Sequence, residues 1–322
     1  MKILFVSPQY PANPIRFLSD TLVDMGHELY KIGALYNNHG GLATWGKHNA
    51  SVDVQLERAQ PAWDLTEYLE LCTAAIGAPD ICICSEETYS TKIRRPIGKK
   101  IPTVLLSWDG WPHVWDRCND FQSVLNYTGH PFGIRIHPRE EPDPRWKFFG
   151  PACYPKVHQF LNIPRDIDFV LNAAMYGARQ EICDFMRSRR LSVRSGYVLT
   201  DEYVMNANRG FATYINSNKQ RECKWRAMEG AAMGLLNICD DHLLYEWIGA
   251  KPYEHYFPIS LKWNERIQEW WPDGQMVYEC IQVLKENPNL AEHIRKNAME
   301  LAMKYHTYEA RVNMILEDLR SL

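Results

Sequence analysis

The sequence predicts an α/β protein made of two doubly wound, parallel-sheet domains that face a cleft. Three observations carry that expectation. The chain has 322 residues, more than the roughly 250–300 at which a single hydrophobic core stops growing. Short apolar runs alternate with helical apolar spacing in each half, the pattern of a parallel sheet covered on both faces. Between about 135 and 165 both patterns lapse, and prolines gather at 138, 142, 144, 151, 155 and 164, so a boundary is placed there. The expected domains are 1–155 and 156–322.

The elements follow in order. Residues 2–8 form an apolar run closed by Pro8, and Ile15, Leu18, Leu22 and Met25 then recur at helical spacing. Gly26 suits a left-handed cap, and a strand-like run resumes over 28–35, completing a βαβ unit. Asp64 is a candidate N-cap for a helix striped by Leu65, Tyr68, Leu69, Cys72 and Ile76. Pro79 breaks that helix before the strand DICIC, and Pro102 introduces the buried run TVLLSW. In the second half the reading gives a strand DFVLNA, a helix over 178–189, strands SGYVLT and FATYIN, a helix over 220–233 and a strand LLNIC. A last helix carries Tyr308, Val312, Ile315, Leu316 and Leu319 on one stripe, with Thr307 as its N-cap. That stripe needs a surface, and packing back on the N-terminal domain would supply one.

Composition narrows the function classes. A net charge of -3 gives no global reason for a polyanionic partner, although a local basic face fits within it. Nine cysteines without a two-residue gap between any pair read as reduced, packed thiols, with Cys82 and Cys84 in phase on one strand. No stretch approaches the ~18 apolar residues of a membrane span, so no membrane insertion and a cytoplasmic location are expected. The histidines form no HxxxH or HxH pair supported by nearby acids, and the reading finds no DxD triplet of the metal-dependent sugar-transferase type, so neither metal nor other cofactor is expected. Dinucleotide and P-loop glycine fingerprints are missing as well.

The segment RAMEGAAMGLLNICD, residues 226–240, resembles the R-x-F-E-A-x-A-x-G signature in the C-terminal domain of GT-B glycosyltransferases, with matches at Arg226, Glu229, Ala232 and Gly234. Near the end, KYHTYEARVNMIL is similar to the HTY-x-x-R segment of CgeB-like glycosyltransferases, here His306, Thr307, Tyr308 and Arg311. DFVLNAAMYGARQEICDFM matches the family's strand, glycine turn, arginine and helix at Gly177 and Arg179. The resemblance, which also fits glycosyltransferase group 1-like proteins, spans roughly residues 100–320. It implies two Rossmann-like domains, with a UDP-linked nucleotide-sugar held by the C-terminal one and a hydroxyl acceptor by the N-terminal one. It also implies that Glu229 binds the ribose hydroxyls. Met228, Gly230 and Arg221 depart from the family pattern.

Each candidate residue has a bland reading beside the functional one. Glu229 shares a helix face with Arg226, where an exposed ion pair would be worth only about 0.3–0.5 kcal/mol. Arg179 starts a helix after the Gly177 turn, where backbone N–H groups and the helix dipole favour a phosphate. It could equally be solvated beside Arg187, Arg189 and Arg190. Asp109 emerges after TVLL as a candidate catalytic base or as a turn aspartate before Gly110. His113 is the alternative base, with Glu86 and Glu87 behind it. Trp108, Trp111 and Trp115 suit either a sugar platform or core packing.

Acceptors include modified DNA, because phage enzymes acting on hydroxymethylated bases share the architecture. Arg117, Arg135, Arg139, Arg145 and Lys147 would then supply a basic face. A nucleotide-sugar epimerase of the same fold and a catalytically lapsed interaction protein are the alternatives.

Overall fold

The computed structural model describes residues 1–8, 14–35, 51–56, 62–86, 92–107, 117–128, 145–215, 224–240 and 245–322. They divide into two compact units, Met1–Phe149 with Tyr308–Leu322 and Gly150–Thr307. The division falls between 149 and 150, where the proline-rich stretch suggests 155/156.

The first unit runs β1 (Lys2–Val6), α1 (Pro14–Asp24), β2 (Glu28–Ala34), β3 (Val54–Leu56), β4 (Ala62–Asp64), α2 (Leu65–Ile76), β5 (Ile81–Glu86), β6 (Lys92–Arg94), β7 (Thr103–Ser107), α3 (Arg117–Phe121), β8 (Leu125–Thr128) and β9 (Trp146–Phe148). Seven strands form one parallel sheet in the order β3-β2-β1-β5-β7-β8-β9. Ile3, Leu4, Phe5 and Val6 are fully buried in β1, as a strand covered on both faces requires. Gly26 has φ +82° directly after α1, and the Asp64 side chain accepts the Glu67 N–H at 3.1 Å, so both predicted caps are present. Cys82 and Cys84 sit with Sγ atoms 3.5 Å apart in the core.

The terminal helix, Tyr308–Arg320, belongs to this first unit. Its apolar stripe meets α1, where the Phe17 and Tyr308 ring centroids lie 5.8 Å apart. Tyr127 donates its hydroxyl to Asp318 at 2.6 Å, Lys147 pairs with the same carboxylate at 2.5 Å, and Arg311 lies 6.0 Å from the Phe149 ring centroid. The HTY-x-x-R segment therefore marks the passage from one unit to the other. Within the second unit His306 Nε2 bonds the Ile248 carbonyl at 2.9 Å, and Thr307 bridges to Cys153.

The second unit contains β10 (Ile167–Leu171), α4 (Arg179–Ser188), β11 (Val193–Ser195), α5 (Thr200–Arg209), β12 (Gly210–Ile215), α6 (Trp225–Ala232), β13 (Leu236–Asp240), β14 (Phe257–Ile259), the hairpin β15 (Lys262–Asn264) and β16 (Glu269–Trp271), α7 (Gly274–Glu286) and α8 (Pro288–Tyr305). Its parallel sheet has the order β11-β10-β12-β13-β14. Arg165 fastens the amino edge, donating to the carbonyls of Ala207 at 3.2 Å and Met233 at 2.9 Å and to that of Gly210.

The predicted strand SGYVLT is a correction. β11 ends at Ser195, Gly196 turns at φ +96°, and Thr200 already begins α5. The helix hides in the sequence because Asn206 and Asn208 occupy buried positions that an apolar stripe would normally fill. Its ends do carry dipole-compatible charges, Asp201 and Glu202 in the first turn and Arg209 in the last. Helices α7 and α8 are likewise not assigned from the sequence. No described helix is long and apolar enough to cross a membrane.

Candidate functional site

In each sheet the chain builds outward on one side of its first strand and then crosses to the other. In the second unit it passes from β10 to β11 and then to β12, on the opposite edge of β10. The carboxyl ends of β10 and β12 therefore flank the switch point, where adjacent loops diverge and leave a crevice. A pocket of about 420 Å³, part of it open to solvent, lies there. In the first unit the corresponding point falls between β1 and β5, ending at Val6 and Glu86.

Loop geometry after β10 brings the first cation into the pocket. Gly177 turns the chain at φ +58°, and a Cβ there would stand 2.7 Å from Trp271 Cζ2. Only glycine meets both conditions. The turn places Arg179 at the first residue of α4, 5% exposed. Its guanidinium carbon lies 4.0 Å from the Tyr176 ring centroid, and Nη1 donates to the Ala174 carbonyl at 2.7 Å. Burial pushes Arg179 below its ordinary pKa, Tyr176 opposes this and the charge of Arg226 adds to it. This arginine is fixed in place before any ligand arrives.

Helix α6 supplies the other cations, Lys224 just before its first turn and Arg226 within it. Both line the pocket with Arg179, and among the described lining residues there is no carboxylate. Asn172 and Thr213 complete the polar wall, with Tyr203 and Tyr214 beside them. Asn172 is oriented by Asn206, whose Nδ2 donates to it at 3.1 Å. Three like charges converging in one crevice repel one another, and an anionic ligand relieves that repulsion.

The predicted site residues divide accordingly. Arg179 and Arg226 line the pocket; Glu229 and Gly177 do not. Glu229 is 7% exposed and lies within the fields of Arg226 and the pocket-lining Tyr203. Burial raises its pKa to about 7, against the lowering by Arg226 and Tyr203. Gly177 acts by shaping the turn.

Asp109 and His113 lie outside the described residues, as do Glu87, Trp108, Trp111, Trp115, Arg135 and Arg139. Glu86 ends β5. Of the cations considered for DNA, Lys147 is paired with Asp318, and Arg145 donates to Asn119 at 3.0 Å.

The triplet Asp166-Ile167-Asp168 has DxD spelling but stands at the amino end of β10, opposite the pocket. Asp166 pairs with Arg209, and Asp168 with Lys285 and Ser192. Sequence reasoning missed Tyr203, Asn172 and Thr213. Tyr203 was hidden with α5, and Asn172 and Thr213 are single polar residues at strand ends with no motif around them.

Residues 161–317 match the family described as glycosyl transferase-like. A comparison with curated proteins finds no match to this sequence. Among solved structures, the chain is similar to Anabaena Alr3699/HepE in complex with UDP and glucose, with TM-score 0.66 and 12% identity over 100% of both chains. An alpha-glucosyltransferase in complex with UDP-glucose and DNA containing an abasic site gives TM-score 0.62 and 11% identity over 99% of both. Sucrose-phosphate synthase from Thermosynechococcus elongatus gives 0.61 and 12%, again over 99% of both. The chain thus has the fold of the GT-B glycosyltransferases, and residues 161–317, which include the cationic pocket, are similar to the glycosyl transferase-like family.

Proposed function

We propose that the protein is a glycosyltransferase, a hexosyl- or pentosyltransferase using a UDP-linked sugar, which it moves to a hydroxyl acceptor. The observation that carries this reading is the convergence of Arg179, Lys224 and Arg226 in a pocket with no carboxylate among its described lining residues, at the switch point of the second unit's sheet. A diphosphate carries the charge such a pocket needs, and the anion released in sugar transfer is a nucleoside diphosphate. Neighbours complexed with UDP, UDP-glucose and glucose support the choice of donor.

In this reading Arg179 and Arg226 take the negative charge that develops on the leaving diphosphate, and Lys224 assists. Charges already in position cost no reorganisation at the moment of reaction, which is the main source of such catalysis. Asn172 and Thr213 orient the donor by hydrogen bonds. Asp109, which follows β7, is the proposed base for the acceptor hydroxyl, with His113 as its alternative. Gly177 serves the donor indirectly, by aiming Arg179.

The acceptor class is open to direct test. One neighbour is complexed with DNA, so hydroxymethylated DNA belongs in the panel beside sugars and small alcohols. Incubation with UDP-glucose and this panel, read by mass spectrometry, should give an acceptor heavier by one hexose together with UDP. An isomerised sugar still attached to UDP would point to the epimerase alternative, and no reaction with no UDP binding to a lapsed protein.

A further inference from the structure

The arginines that follow Arg179 along α4 take no part in the pocket. Between 184 and 194 the chain carries Arg187, Arg189, Arg190 and Arg194 against a single carboxylate, Asp184, in a protein whose net charge is -3. All four arginines are exposed. Arg179 opens α4 and Arg189 caps its end, about 15 Å away at 1.5 Å of rise per residue. The cluster therefore lies toward the amino ends of the strands, away from the pocket, and it is a different face from the one expected over 117–147.

Local acids neutralise only one of these cations. Arg187 bonds Asp184 at 2.9 Å and the Ser195 hydroxyl at 2.6 Å. Arg189, Arg190 and Arg194 have no ion-pair partner among the described residues. Asp166 and Asp168, at the amino end of β10, are taken by Arg209 and Lys285.

The helix dipole explains part of the cluster, since it favours cations in the last turn, where Arg187 and Arg189 stand. Arg190 lies beyond that turn at φ +61°, in the left-handed region where glycine or asparagine is usual after a helix. Arg194 is on β11, the edge strand of the sheet. Ser195 accepts from Arg187 of α4 and so faces that helix; side chains alternate along a strand, so Arg194 leaves from the opposite face. The cations thus flank the sheet edge on both sides. Arg189 is held before any partner arrives, its guanidinium carbon 4.9 Å from the Phe185 ring centroid and 5.7 Å from that of Tyr278, with Nη2 donating to Gln275 at 3.2 Å.

We propose that this edge of the second unit is a docking surface for the phosphate backbone of a nucleic-acid duplex, with Arg189, Arg190 and Arg194 as its phosphate contacts. Charge complementarity carries the assignment, because clustered arginines repel one another and a polyanion relieves that repulsion. Arginine rather than lysine at every position suits phosphate oxygens, which its planar fork meets two at a time. Cations on both flanks of a ridge match the two backbones that border a groove. The inference goes beyond the donor reading and does not depend on it, since none of these arginines lines the pocket.

The test is a titration of the full chain with a fluorescent DNA duplex of about 20 base pairs, at salt from about 50 to 200 mM. The log–log slope of affinity against salt is about -0.9 per phosphate neutralised. Three contacts give a slope of about -2.7, roughly a fortyfold loss of affinity over that range. Arg190→Asn and Arg194→Gln should each reduce the slope by about 0.9, and adding Arg189→Gln should abolish binding. UDP affinity should stay at the wild-type value in all three, and saturating UDP should leave duplex binding unchanged.

Asparagine suits the left-handed backbone at 190, so the first two variants carry the test if loss of the Arg189 stack unfolds the triple one. No duplex binding at low salt, binding that ignores salt, unchanged slopes in the variants, or displacement by UDP would overturn the inference while leaving the donor reading in place. Polygalacturonate, a polyanion of carboxylates, binding as tightly as the duplex would overturn it too and assign the surface to an acidic glycan. Absence of UDP binding would remove the donor reading and leave this inference standing.

Discussion

Helices α4 and α6 both begin at the pocket, and they hold their arginines differently. Arg179 of α4 is 5% exposed, stacked on Tyr176 and bonded to the Ala174 carbonyl. Arg226 of α6 is half-buried and has no hydrogen-bond or ion-pair partner among the described residues. The difference teaches that one cation is built into the fold while the other is left able to adapt to what binds. Fixed donors serve transition-state charge because they need not reorganise.

The comparison is broken most severely at Arg179. Arg179→Ala should lower UDP affinity by roughly two decades, since hydrogen bonds to charged groups are worth about 1.5–3 kcal/mol and more than one is lost. It should also lower Tm, because the Tyr176 stack and the bond to Ala174 disappear with it. Arg226→Ala should cost roughly one decade in affinity and leave Tm nearly unchanged. Calorimetry and thermal melts on the two variants separate these outcomes, and equal effects on both quantities would erase the distinction.

Glu229 sharpens it through stability. Its folded pKa of about 7 stands above the ordinary 4.5, so the folded state binds its proton more tightly than the unfolded chain does. Stability from this group is fully present below the unfolded value and is lost as pH rises from there through about 7. Glu229→Gln should accordingly raise Tm more at pH 8 than at pH 5, and an equal shift at both would contradict the assignment.

The smallest effect is at Gly230, where the family signature has alanine. A Cβ there meets its nearest atoms at 3.5 Å, ordinary contact, inside α6. Gly230→Ala should stabilise the protein by up to about 1 kcal/mol, the helix-interior difference between the two residues, measured by denaturant unfolding.

Much of the second unit was legible in the sequence, because its signals are local. Gly177 and Arg179 stand two residues apart after an apolar run, and the RAMEGAAMG helix carries the pocket's other arginine within one turn of its glutamate. The alternation of strands and helices also gave the parallel sheets of both units.

What sequence reading missed depended on tertiary contacts. Tyr203 meets Glu229 across 26 positions of chain, and its helix was read through because buried asparagines interrupt its stripe. Trp271 covers Gly177 from a hairpin that begins 85 residues later. The direct ribose role expected for Glu229 follows from a motif, whereas its burial follows from packing. Asp109 and His113 remain expectations from position alone.

The central claim is that the second unit's pocket takes the diphosphate of a nucleotide sugar, and a crystal structure of the complex with UDP tests it most directly. The account predicts phosphate oxygens about 2.7–3.0 Å from the guanidinium nitrogens of Arg179 and Arg226. UDP bound elsewhere in the protein, or phosphates that avoid both arginines, would contradict it.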